Sequence, residues 1–148
     1  MTEVRARPQE SMFRAASRLR GVLEMDPGAR GWRTALRAAL SECVVAVEHH
    51  LGSLVDADGI EGEIVRREPR LLPALERLSV AMSQLLIHLW ETRETAGQPG
   101  PLLMRRLDRL VDEINDVAAE EFMLVIESFN PHEEVPDLAP LVTAPFER

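Results

Sequence analysis

The sequence is poor in the residues that most often announce a chemistry. It has one cysteine, Cys43, four histidines, no lysine and no tyrosine, and aromatics make up only 4% of its 148 residues. A single cysteine excludes an intrachain disulfide and a Cys-rich zinc cluster, so a reducing, cytoplasmic setting is the expectation. No uncharged apolar run approaches the ~18 residues that a membrane span requires. Arg5, Arg7, Arg14, Arg18 and Arg20 break up any apolar stretch that could serve as a secretory signal. There is no glycine-rich phosphate loop and no nucleophile elbow. The scarcity of aromatics also disfavours a β-sandwich, whose strands draw on aromatic and β-branched residues.

What the chain does have is aliphatic bulk. Apolar residues reach 45%, so a core must be built from Leu, Val, Ala and Met, which suits helix-on-helix packing. A chain of this length buries roughly two thirds of its unfolded surface and needs no metal or disulfide to hold one domain together. The formal net charge is −8, unevenly spread. Residues 1–40 hold eight Arg against Glu3, Glu10, Glu24 and Asp26, whereas the remainder holds nine Arg against twenty-one acids. Net acidity argues against general nucleic-acid binding, which rests on neutralising phosphates. The basic first segment leaves room for an acidic protein partner.

Apolar periodicity divides the chain into helices. Met12, Ala16, Leu19 and Leu23 share one face of a helix over about 8–25, which Asp26-Pro27-Gly28 ends. Leu36, Leu40, Cys43, Val47 and His50 mark a second helix from Trp32 to about Leu51, with Gly52 as its stop. Asp56-Ala57-Asp58-Gly59 forms a loop that lacks the ligand register of a calcium hand. A short helical piece over 60–67 stops before Pro69. A third long helix spans about 70–95 on Leu71, Leu75, Leu78, Met82, Leu85 and Leu89. Leu72, Leu86 and Trp90 widen its apolar face, so burial on two sides is expected. Gly97-Gln98-Pro99-Gly100-Pro101 is a linker, and a fourth long helix follows over about 102–129. Pro131, Pro136, Pro140 and Pro145 keep the remainder from forming a helix of any length. The expectation is an all-α protein: an antiparallel four-helix bundle with a short extra helix and an extended, Pro-containing C-terminal tail. Residues 1–30 form a basic helix and turn, 31–130 the bundle core and 131–148 the tail.

Ligand-type residues on or beside the stripes are His50, His88 and Glu121, one on each of three helices. Bundle cores hold iron or manganese with such groups. Glu91 completes a His-x-x-Glu spacing with His88. His49 and His50 point about 100° apart and cannot face one ion together. His132 sits in an acidic turn, His132-Glu133-Glu134. Cys43 reads as a small buried hydrophobe with an inert thiol.

The stretch from Glu48-His49-His50 through Asp58-Gly59-Ile60-Glu61-Gly62-Glu63-Ile64-Val65 and Pro69-Arg70-Leu71-Leu72-Pro73 to His88-Leu89-Trp90-Glu91 resembles the hemerythrin-like (HHE) family. The resemblance covers about residues 32–130. It implies a four-helix bundle around a non-haem di-iron centre used for oxygen binding, storage or redox sensing, with about five His and two bridging carboxylates. The family's His-x-x-x-Glu would place Glu where this chain has Thr92, and no His occurs between Leu102 and Phe129. The resemblance therefore carries ligands over only to His50 (or His49) and His88, with Glu91 and Glu121 as substitutes.

Two functions follow as expectations. The first is a regulatory or protein-interaction module with a degenerate metal site and no cofactor, with enzymatic activity disfavoured but left open. Its contact surfaces would be the basic first segment and the acidic last helix (Asp112, Glu113, Asp116, Glu120, Glu121 and Glu127), charges that would also permit self-association. The second is an iron-binding sensor of oxygen, peroxide or nitric oxide, using His50, His88, Glu91 and Glu121.

Overall fold

The computed structural model describes residues 8–56 and 59–129. The expectations for the tail from Pro131, for His132, for the Arg5 and Arg7 segment and for Ala57-Asp58 lie outside the described residues. The elements are α1 (Pro8–Leu23), α2 (Trp32–Val55), α3 (Ile60–Arg67), α4 (Leu72–Thr95) and α5 (Pro101–Phe129), with a single 3-10 turn (Pro69–Leu71) leading into α4. No strand occurs among the described residues. No helix among them is long and apolar enough to cross a membrane.

One helix end departs from the expectation. Gly52 does not stop α2, which continues to Val55. A mid-helix glycine costs only about 1 kcal/mol relative to alanine. Leu54, one half-turn further, is buried, and its burial offsets roughly that cost. The glycine that the fold requires is Gly59. A Cβ there would stand 2.5 Å from the Ser53 carbonyl oxygen and 3.2 Å from that of Asp56, so the chain can turn back against the end of α2 only without a side chain. Gly31, at φ 89°, plays the other special role, since it opens α2 from a left-handed backbone.

Packing follows the stripes. α1 and α4 each lie against both α2 and α5, which places α2 and α5 on opposite corners. The core is aliphatic: Met12, Leu19, Leu40, Met82, Leu85 and Ile114 are each fully shielded from solvent. Each such side chain contributes roughly 1.5–3 kcal/mol by leaving water. The Trp32 Nε1–H donates to the Val22 carbonyl at 3.1 Å, and the Cys43 thiol donates to that of Ala15 at 3.6 Å. Positions that rise along α2 thus meet positions that fall along α1. The short α3 packs on α2, α4 and α5 through the buried Ile64.

Candidate functional site

Few polar or charged side chains are buried, and two of them meet. His50, on the inner stripe of α2, and Glu121, on the inner stripe of α5, are completely excluded from solvent. His50 Nδ1 lies 2.6 Å from Glu121 Oε1. α2 and α5 sit on opposite corners, so this hydrogen bond crosses the middle of the helix assembly. The periodicity produces the arrangement: His50 follows Val47 by three residues, and Glu121 precedes Leu124 by three, so each takes its stripe's direction. α3 packs against both of the helices that carry the pair.

An isolated charge in such surroundings is costly, and two groups sharing one proton are not. Burial therefore favours a pair of net zero charge: imidazolium beside carboxylate, or neutral imidazole beside carboxylic acid. The two forms differ only by a shift of the shared proton. The pair holds one proton between Nδ1 and Oε1, closed off from solvent.

His88 and Glu91 are not part of this arrangement. The expectation that His88 leans inward is corrected: half of its side chain is open to solvent, and its Nδ1 lies 3.2 and 3.3 Å from the Glu113 carboxylate oxygens. The cause is rotational. Leu85, Leu89 and Thr92 take the inside of α4, and this turns His88 toward the α5 side and Glu91 outward. Both line a groove of about 200 Å³ between α4 and α5, together with Arg106, Arg109 and Glu113. Thr92 does face inward, and its hydroxyl donates to the His88 carbonyl at 2.8 Å. Sequence reasoning did not find Glu113 as the partner of His88; its position three residues past the inner Leu110 was the available signal. Arg106 and Arg109, on the polar flank of α5, gave no signal at all.

His50 Nδ1 and Glu121 Oε1 are too close together to hold one ion between them. Two ligands about 2.0–2.1 Å from one ion at a right angle stand about 2.9 Å apart or more, wider than the 2.6 Å between His50 and Glu121. That separation belongs to a hydrogen bond. Among the described residues, no group of three or more His, Cys, Asp or Glu comes together in a way that could hold a metal ion.

Cys43 is fully buried. Its thiol is pushed up from 9.0 to about 12, first by burial and then by the negative charge of Glu42, so it stays protonated and inert.

The opposite charges of α1 and α5 are partly satisfied inside the chain. Arg20 pairs with Asp108 at 2.7 Å and reaches Asp112 at 3.8 Å. Glu121 is in the core, so it is no part of the acidic surface expected on the last helix.

Comparison with protein-family models, with curated proteins and with solved structures gave no match.

Proposed function

We propose that this chain is an antiparallel four-helix bundle of the hemerythrin-like type whose ligand set is degenerate, acting in the cytoplasm as a small regulatory or protein-interaction module. The observation that carries the reading is how the ligand-type residues are used. His50 and Glu121 are spent on each other across the core, while His88 and Glu91 stand on an outer groove. What remains for function is the surface. It includes apolar residues on the outer side of α4, where Val80, Ile87 and Trp90 are about half exposed, although the opposite side of the same helix is the core.

Iron measured by plasma mass spectrometry in the full chain, purified from iron-supplemented cells, tests this reading. The expected content is well under one iron per chain, unchanged in His50→Leu. Stoichiometric iron that disappears in His50→Leu and Glu121→Leu would overturn it in favour of the iron-binding sensor. In that reading the helices would have to part enough for an ion to enter between the two side chains.

A further inference from the structure

We propose that the outer face of α4 is a self-association surface, on which a second copy of this chain packs its own α4 in the antiparallel sense about a twofold axis near Gln84. This rests on the interaction role assigned above and names its partner. The first observation is a second stripe. Val80, Ser83, Ile87 and Trp90 follow the 3–4 spacing of a helix-pairing seam, nearly opposite the buried stripe of Leu78, Met82, Leu85 and Leu89 on the same helix. Val80, Ile87 and Trp90 are 57%, 56% and 48% exposed. On α2, Val45 is an exposed apolar residue as well. It lies one turn beyond Ser41, which accepts from Arg93 Nη1 at 3.3 Å, and it is 64% exposed. An apolar stripe of this kind, rimmed by charge, is the form that partner surfaces take.

The second observation is charge complementarity, and it selects a copy of the same chain in one orientation. Antiparallel pairing about a point between Gln84 and Leu85 sets Val80 near Trp90 of the second copy, and the small Ser83 near Ile87. It then brings Arg77 beside Glu91 of the other chain at both ends, since both residues flank the seam on its α5 side. Within the chain, neither Arg77 nor Glu91 takes part in an ion pair among the described residues. A twofold axis uses each such complementarity twice. A parallel twofold pair would carry the α5 flank of one copy to the far side of the seam, so Arg77 and Glu91 of the two chains would not meet. The seam is also bounded: from Glu76 to Glu94 is about 27 Å, and in the antiparallel pair these two acids face each other, a like-charge contact that ends the apolar seam and offsets part of the Arg77–Glu91 attraction. A short seam of this kind gives a reversible dimer.

Sedimentation of the full chain from micromolar to submillimolar concentrations tests the proposal. A monomer–dimer equilibrium is expected. Ile87→Glu should weaken it at least tenfold while leaving the helical signal and the melting temperature of the dilute, monomeric chain unchanged, because Ile87 is outside the core. Arg77→Glu and Glu91→Arg should each weaken the dimer several-fold, and the two together should restore it, since the swapped charges again meet their opposites. A chain that stays monomeric throughout, a dimer indifferent to Ile87→Glu, or a double swap no better than either single change would overturn the proposal. None of these outcomes depends on iron content, so this inference and the assignment of a degenerate metal site fail separately.

Discussion

Glu121→Leu is the perturbation that most directly probes the interior. It removes the carboxylate 2.6 Å from His50 Nδ1 and takes that hydrogen bond from an imidazole completely excluded from solvent. Removing one member of a buried charged pair costs about 3–5 kcal/mol, whereas loss of a neutral hydrogen bond to a buried group costs about 1–3 kcal/mol. The added apolar volume of leucine recovers only part of either. Domains of this size have total stabilities of about 5–15 kcal/mol, so the variant should lose a large share of its stability. The corresponding fall in melting temperature is about 10 °C, at a few degrees per kcal/mol. His50→Leu and the double variant His50→Leu/Glu121→Leu complete the cycle; the double removes both polar groups in favour of apolar side chains and should return to within about 1 kcal/mol of the parent or exceed it. Urea unfolding of all four proteins of the cycle, followed by far-ultraviolet circular dichroism, supplies the numbers. Glu121→Gln, whose amide N–H can donate to a neutral Nδ1 as the carboxylic acid does but which carries no charge, separates an ion pair from a neutral hydrogen bond: a small loss indicates the neutral form. The reasoning fails if Glu121→Leu unfolds within about 1 kcal/mol of the parent, or if the double variant costs the sum of the singles.

Leu85→Asp should abolish folding or lower stability by more than about 4 kcal/mol, because Leu85 is fully shielded and an unpaired charge would enter the core; a parent-like melt would show that the register of α4 is wrong. His88→Leu should change stability by less than about 1 kcal/mol, since it breaks only a half-exposed pair with Glu113; a larger loss in thermal unfolding would mean that the groove carries structural load. The Cys43 thiol should resist thiol reagents in the folded protein at neutral and mildly basic pH and react fully once denatured, as followed by a chromogenic disulfide. Its folded pKa lies at about 12 against 9.0 in the exposed state. The unfolded chain therefore loses this proton first, and Cys43 makes stability fall as pH rises from about 9 towards 12; Cys43→Ala should remove that part of the decline. Gly59→Ala should destabilise the protein by forcing its Cβ against the Ser53 carbonyl, whereas Gly52→Ala, which meets nothing nearby, should be neutral or stabilising by up to about 1 kcal/mol.

The sequence by itself determined the helices, their order and most of their inward faces. Leu, Val, Ala and Met at 3–4 spacing, punctuated by Asp26-Pro27-Gly28 and Gly97-Gln98-Pro99-Gly100-Pro101, leave few other ways to bury the apolar side chains. It also marked His50 and Glu121 as inward-facing, because each lies within an uninterrupted apolar stripe. Periodicity gives a direction on one helix, however, and says nothing about which helix stands opposite. That His50 and Glu121 meet required α2 and α5 to occupy opposite corners with their levels matched, which depends on every helix-to-helix contact at once. His88 lay at the edge of its stripe, where a rotation of some tens of degrees separates core from surface; the packing of Leu85, Leu89 and Thr92 fixed that rotation. The extension of α2 past Gly52 was likewise tertiary, since the burial of Leu54 outweighs a local preference of about 1 kcal/mol. The expected burial of α4 on two sides met only one partner surface among the described residues. Whether an apolar stripe is covered depends on how many neighbours the fold supplies, and the stripe itself carries no record of that number.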